Sequence, residues 1–248
     1  MPESKDARIN WASIRNAVLR SLQEADAAAL SPHATSVSLA SGQVLYEPGR
    51  PLEWIYFPLT SVLSIVNVMK DGRTVESDTV GCESVVGVLN ALGSPITVNR
   101  TFVQIAGEAV RTPREVLAQQ ALSSPELMKL LIRHTQINLA KAHQSVACNA
   151  LHPVIARLCR WLLLCHDRTG SDEIRLTQDY LATMLGVQRT TVTQAMTVLK
   201  TARLIDHRRG KIRVFDREGI EALACECYGV GQEQLKRLLP DGAGLPAG

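Results

Sequence analysis

Residues 177–199 read TQDYLATMLGVQRTTVTQAMTVL, and this pattern predicts two short amphipathic helices joined at one glycine. Leu181, Met184 and Leu185 are spaced three and one apart, so they share one face of the first helix. Gly186 follows directly, where a residue with positive φ ends a helix and redirects the chain. The apolar residues of the second helix also fall on one face; they are Val192, Met196 and Leu199.

The outer face of the second helix carries short or forked hydrogen-bonding side chains. They are Gln188, Arg189, Thr190, Thr193 and Gln194. Such side chains suit base edges in a DNA major groove, where Arg forks onto guanine and Gln onto adenine. An ordinary helical hairpin with a solvated outer face is the alternative interpretation.

The segment that follows favours the DNA-binding interpretation over a solvated face. Residues 204–215 read LIDHRRGKIRVF, which predicts a β-hairpin with a basic tip that contains a glycine. Two helices followed by such a hairpin are typical of a winged helix-turn-helix. Residues 175–217 hold nine Lys and Arg against three acids, whereas residues 1–150 hold thirteen of each. The positive field therefore lies where this motif would meet phosphates.

The chain resembles the Crp/Fnr superfamily of bacterial transcription regulators. Residues 177–215 look like its DNA-binding domain, and one branch is indicated by ACNALHP at 147–153, RWLL at 160–163 and CECY at 225–228. The resemblance implies a sensor barrel, a dimer helix, a hinge and a winged helix, in that order. It also implies that Arg189 is the main base reader, that the protein binds a two-fold operator in double-stranded DNA as a homodimer, and that RNA polymerase is a partner.

Further side chains are expected to touch DNA around this helix, mainly at phosphates. They are Thr177, Thr191, Lys200, Arg208, Arg209 and Lys211.

Composition limits the remaining choices. At 248 residues the chain can hold two modest domains, and no apolar run reaches the ~18–20 residues of a membrane span. The charged start lacks the apolar core of a signal peptide, and six scattered cysteines fit a reducing compartment, so we expect a cytoplasmic protein. On a helix, Cys225 and Cys227 would point about 200° apart and could not share a metal there. We therefore predict no metal site, and a redox role for this pair stays open.

The fold class predicted for the whole chain is α+β. An amphipathic helix over residues 11–30 precedes about eight short strands between 36 and 112, with a short helix near 83–91. This spacing predicts an antiparallel jelly-roll, or double-stranded β-helix, barrel. The predicted domains are a cyclic-nucleotide-binding-like sensor barrel over 11–124, a dimerisation helix over 125–150 and a DNA-binding domain over 151–239.

The predicted helix after residue 125 carries a seven-residue repeat. Its inner positions are Met128, Ile132, Thr135, Leu139, Ala142 and Val146. Apolar residues in steps of four and three suit pairing with the same helix of a second chain. A helix packed only on its own barrel is the alternative, but two-fold operators are read by two-fold dimers.

The barrel departs from the cyclic-nucleotide pattern of its relatives. In them a Gly-Glu pair grips the ribose, whereas here Gly87 precedes Val88, which cannot accept a hydroxyl hydrogen bond. Arg100 and Thr101 do match the phosphate-binding pair, so an anion could still bind them. We therefore expect that cyclic AMP does not switch this protein, with a cyclic-nucleotide-responsive regulator as the alternative.

The sequence names no effector and requires no cofactor. A cupin-like small-molecule-binding protein or enzyme is the alternative from a different class. Residues 36–112, however, contain no histidine to bind its metal. We therefore predict a regulator that is not an enzyme.

Overall fold

The computed structural model describes Trp11 and residues 14–238, so residues 12, 13 and 239 of the predicted domains lie outside it. The N-terminal half holds two antiparallel sheets. The strands are β1 (Thr35–Leu39), β2 (Val44–Tyr46), β3 (Trp54–Pro58), β4 (Val62–Val68), β5 (Thr74–Val80), β6 (Arg100–Ile105) and β7 (Gly107–Pro113). One sheet has the order β1-β7-β3 and the other β2-β6-β4-β5. Seven strands therefore form the described barrel, where about eight were expected.

The barrel core lies between these sheets. Ile55, Leu63 and Val103 come from three different strands and are each fully buried there. The short helix α3 spans Val88–Leu92. It begins later than predicted because Val86 still makes an antiparallel bridge to Tyr56 and the chain turns only at Gly87, where φ is 94°.

The predicted helix over residues 11–30 is wrong in its length. The chain forms two short helices instead, α1 (Ala17–Arg20) and α2 (Glu24–Leu30). Asn16 sets the start of α1, because its side-chain oxygen accepts hydrogen bonds from Val18 and Leu19 at 3.1 Å. Its amide nitrogen donates to the Pro58 and Ser84 carbonyls, which fastens this turn to the barrel.

A long helix leaves the barrel, as the sequence indicates. Helix α4 (Arg114–Ser123) leads into α5 (Pro125–Leu151), whose first turn is capped by the Ser124 hydroxyl through Leu127 N–H at 3.2 Å. The face of α5 toward the barrel is buried and includes Leu131 and Ile137. The helix ends at His152, which is extended as expected before a proline.

The C-terminal half has its own core. Its helices are α6 (Val154–Thr169), α7 (Gln178–Leu185), α8 (Arg189–Thr201), α9 (Arg217–Leu223) and α10 (Cys227–Leu238). Its strands are β8 (Glu173–Arg175), β9 (Ile205–Arg208) and β10 (Lys211–Val214), in the order β8-β10-β9. Leu181, Val192 and Met196 are buried between the helices, and Gly186 has a φ of 63°, as the sequence predicts for the turn between α7 and α8. No helix in the described part of the chain is long and apolar enough to cross a membrane.

The two halves meet at a buried ion pair. Arg168, near the end of α6, donates to Glu83 of the barrel from Nη2 at 2.6 Å and from Nε at 3.2 Å. It also donates to the Thr79 carbonyl oxygen at 2.8 Å. A side chain at Gly81 would overlap Arg168, since a Cβ there would lie 2.4 Å from Cγ. Glycine at position 81 therefore lets the arginine reach the barrel.

Removing this arginine should destabilise the protein strongly. In Arg168→Met the Glu83 carboxylate would stay buried without its main partner, so we expect a loss of about 3–5 kcal/mol in the free energy of unfolding. Chemical denaturation measures it, with Arg237→Met as a control because Arg237 pairs with Glu233 on the surface. Adding Glu83→Gln to Arg168→Met should restore part of the loss. A loss below about 1 kcal/mol would contradict this account.

Candidate DNA-binding surface and sensor pockets

The outer face of α8 is open to solvent over the predicted base-reading positions. Gln188 precedes the helix, and Arg189, Thr190, Thr193 and Gln194 are exposed, whereas Thr191 is half-buried. The opposite face is packed on the C-terminal core through Val192, Ala195, Met196 and Leu199. The structure therefore places the predicted polar side chains together on one free helical face.

Arg189 is held loosely at the edge of this face. Its Nη1 lies 3.4 Å from Oδ1 of Asp179, in the first turn of α7, and about two-thirds of each side chain is exposed. An ion pair this exposed contributes little stability, so the guanidinium can leave it at little cost. Thr193 links the same two helices, because its hydroxyl donates to Gln178 Oε1 at 3.0 Å.

Strands β9 and β10 form a hairpin that we call the wing. Its turn consists of two residues, Arg209 and Gly210, since Lys211 pairs with Arg208 across it. Both turn residues have positive φ, 47° and 76°, as the tight turns of twisted hairpins require. The Gly210 end of the turn lies beside Thr177, the residue that caps α7. The wing tip and the start of the helix pair thus form one continuous edge.

This surface includes one cation whose position the sequence did not predict. Arg175 lies on β8 directly opposite Lys211, which in turn lies opposite Arg208, so three cations form a row across the sheet. The Arg175 side chain is 75% exposed. A strand of three residues gives too short an alternation to be recognised, which is why only its charge was noticed. Lys200 lies nearby and forms an ion pair with Asp206 at 2.6 Å.

The predicted effector residues of the barrel are packed into its core or paired within it. Val88 and Thr101 are buried, and a side chain at Gly87 would collide with Ile55 and Tyr46. Arg100 already makes a two-pronged ion pair with Glu47, at 2.8 and 3.1 Å. Its donors are therefore engaged within the barrel, which weakens the case for an anion there.

A different cavity, of about 110 Å³, lies where the barrel, α5, α6 and α10 meet. Several buried donors on its wall have no hydrogen-bond partner among the described residues. They are Lys141 Nζ, Arg157 Nε, Arg160 Nε, Trp161 Nε1 and Arg168 Nη1. Buried donors are normally satisfied, so this group points to a ligand with acceptor atoms. The sequence could not reveal it, because the residues come from distant segments.

Acidic groups complete the wall of this cavity. Burial raises the pKa of Glu76 to about 7, although Ser64 and Thr79 donate to it and lower it. Burial would also raise the pKa of Glu83, but the charges of Arg168 and Lys141 outweigh it and hold the value at about 2. Glu83 is therefore charged at neutral pH, while Glu76 changes protonation close to it.

His134 fixes α5 against the same edge of the barrel. Its Nε2 lies 2.7 Å from the Ser84 hydroxyl and accepts the Val85 N–H at 3.3 Å. Burial, together with the Lys141 charge, lowers its pKa to about 3, so the ring is neutral at physiological pH.

The far side of α5 carries an exposed apolar stripe. Ile132, Leu139 and Val146 are seven residues apart and are 49%, 57% and 70% exposed. Ala142 is exposed beside them, while Met128 and Thr135 are half-buried toward the barrel. Four of the six predicted interface residues thus form a free face in one chain.

Three comparisons place these features among known proteins. Residues 156–223 match the family described as Crp-like helix-turn-helix domain. The chain is similar to the transcriptional regulator SdrP of Thermus thermophilus, at 28% identity over 79% of this chain and 97% of that protein. It is also similar to the global nitrogen regulator of Nostoc, at 25% identity over 69% of this chain and 81% of that protein.

A solved structure shows the same fold. It is a transcriptional regulator of the CRP/FNR family from Thermus thermophilus, with a TM-score of 0.61 and 24% identity. The similarity covers 77% of this chain and 98% of that one.

Proposed function

We propose that the chain is a DNA-binding transcription regulator of the Crp/Fnr superfamily and that it reads a two-fold operator as a homodimer. The observation that carries the proposal is the free polar face of α8 beside a row of wing cations. Two such surfaces related by a two-fold axis suit half-sites about 34 Å apart.

The side chains divide the work by their position. Arg189, Gln188 and Gln194 reach base edges, with Thr190, Thr191 and Thr193 beside them. The cations at the periphery and Thr177 hold phosphates; these cations are Arg175, Lys200, Arg208, Arg209 and Lys211. Phosphate contacts fix the register of the helix and give the affinity its salt dependence.

Arg189→Ala should lose sequence-specific binding. One base-reading arginine is worth about 1–3 kcal/mol, so affinity for the operator should fall at least about fivefold, with a much smaller loss on random DNA. Fluorescence anisotropy with both DNAs measures this after genomic mapping has defined the operator.

Arg175→Ala is the matched comparison for Arg189→Ala. It should weaken both DNAs alike and reduce the slope of log affinity against log salt by about one. Equal losses on both DNAs in Arg189→Ala would make Arg189 a phosphate contact instead.

The apolar stripe of α5 supports the dimer. Exposed residues at seven-residue spacing would become buried against the same helix of a second chain. Leu139→Asp would place a carboxylate in that interface, where it would lose its hydration. We expect this variant to sediment as a monomer and to bind the operator weakly.

Leu89→Asp serves as the control for the dimer test, because Leu89 is 66% exposed on the short helix α3 and not on α5. It should remain dimeric in analytical ultracentrifugation. A dimer that persists in Leu139→Asp would move the interface elsewhere on the chain.

The signal is proposed to act at the cavity between the two halves. Its donors without a hydrogen-bond partner come from α6, and Lys141 of α5 faces the same cavity while it ion-pairs with Asp78 and Glu83. A ligand bound there would therefore touch both α5 and the DNA-binding half. Its chemistry would be that of a small molecule rich in acceptor oxygens. We further propose that the protein acts in the cytoplasm. There it would recruit or block RNA polymerase, which is its proposed protein partner.

Trp161→Phe tests this cavity with little change in shape. Losing one donor should weaken binding of a small carboxylate or phosphate about two- to tenfold. A thermal-shift screen of inorganic phosphate and short dicarboxylates against chloride, followed by calorimetry, makes the measurement. Trp54→Phe, on the barrel strand β3, is the control. If no oxyanion stabilises the wild-type protein more than chloride does, the signal acts elsewhere.

A further inference from the structure

Four side chains that the proposed function does not use come together beside the short connection between α5 and α6, residues 152–153. Cys148 lies in the last turn of α5, His152 follows that helix, and Cys225 and Cys227 lie before and at the start of α10. One ligand atom from each residue lies within 4.8 Å of all the others. The three cysteines are buried and His152 is half-buried.

The expectation that Cys225 and Cys227 could not share a metal assumed that both lie in a helix. The structure has Cys225 in the extended turn before α10, so the chain bends between the two residues and brings their thiols to the same side. Cys148, in the last turn of α5, and His152, directly after that helix, complete the group.

Two of the distances between these ligand atoms match those around one tetrahedral ion. The Sγ atoms of Cys148 and Cys225 are 3.5 Å apart, and Cys227 Sγ lies 3.6 Å from His152 Nδ1. A tetrahedral zinc ion with Zn–S bonds of about 2.3 Å separates neighbouring ligand atoms by roughly 3.5–3.8 Å. An iron–sulfur cluster would place several atoms between its ligands and would spread them farther apart.

The surroundings are also those of a metal ligand set. Gln144 Nε2 donates to Cys227 Sγ at 3.0 Å, which would stabilise a thiolate. His152 presents Nδ1 to the cysteines, while its Nε2 lies 3.9 Å from the Glu226 carboxylate. That distance is too long for a hydrogen bond, so the exposed Glu226 side chain does not fix the ring in this structure. Burial raises the pKa of the Cys148 and Cys225 thiols, while the Arg160 guanidinium acts in the opposite direction and would offset the net negative charge of three thiolates around one Zn²⁺.

We propose that Cys148, His152, Cys225 and Cys227 bind one structural Zn²⁺ ion that fastens the end of the dimer helix to the start of α10. Binding would release the three thiol protons to solvent, because zinc takes cysteine as thiolate. Four protein ligands leave no open position, so the site would be structural and not catalytic. This proposal does not depend on the proposed DNA binding, because none of the four residues lies on the α8 face or the wing.

The first measurement is metal content. Full-length protein purified under reducing conditions, without chelator, should contain about one zinc per chain by plasma mass spectrometry. After chelation, Co²⁺ should restore one ion per chain and give the visible absorption of a tetrahedral site with thiolate ligands. The chelated protein should also melt at a lower temperature than the zinc form.

Variants locate the ion. His152→Ala and Cys225→Ser should each bind zinc at least about tenfold more weakly than the wild type in a chelator competition. Cys82→Ala, a buried cysteine of the barrel, is the control and should keep full zinc affinity. His152 is half-buried, so its variant is expected to fold even where a cysteine variant does not.

Several results would overturn the proposal. One is reduced wild-type protein that takes up neither zinc nor cobalt, and another is iron with acid-labile sulfide in place of zinc. A third is a Cys148–Cys225 disulfide in metal-free protein whose reduction does not restore zinc binding. The last is equal zinc affinity in His152→Ala and in the Cys82→Ala control.

Discussion

The orientation of the two halves depends on the buried pair of Arg168 and Glu83. The arginine comes from the DNA-binding half and the carboxylate from the barrel, at 2.6 Å. Lys141 of the long helix lies 3.7 Å from the same carboxylate. One carboxylate thus connects the barrel, the long helix α5 and the C-terminal half, and no two of these units can shift without changing its surroundings.

Such a pair fixes geometry more than it adds stability. Taking two charges from water costs several kcal/mol, and their attraction repays this only while both hydrogen bonds are kept. A partial rotation of the halves would lose the attraction without restoring the water, so intermediate orientations are costly. The pair therefore favours the single orientation of the two halves that the structure shows. Glu76, whose pKa is raised to about 7 by burial, lines the cavity between the two halves, so the charge of the cavity wall changes with pH around neutrality.

Local patterns made much of this molecule predictable from its sequence. Gly186, the apolar spacing of α7 and α8 and the basic hairpin identify the DNA-binding half, because each of these signals acts over a few residues. The stripe of α5 is equally regular. What the sequence did not reveal depends on distant contacts: Asn16 divides the N-terminal helix through bonds to the barrel, and Arg175 becomes part of the wing only when β8 pairs with β10. The cysteine group joins residues 77 positions apart.

The two connections between the halves act on opposite ends of α6. This helix has sixteen residues and is therefore about 24 Å long. Arg168 ties its C-terminal end to the barrel. Its N-terminal end lies against the cysteine group, where the Ala156 carbonyl accepts the Cys225 N–H at 3.4 Å. A rod held at both ends cannot pivot unless one end is released. The Arg168–Glu83 pair holds the first end and the contact with the cysteine group holds the second, so both ends together set the orientation of the C-terminal half.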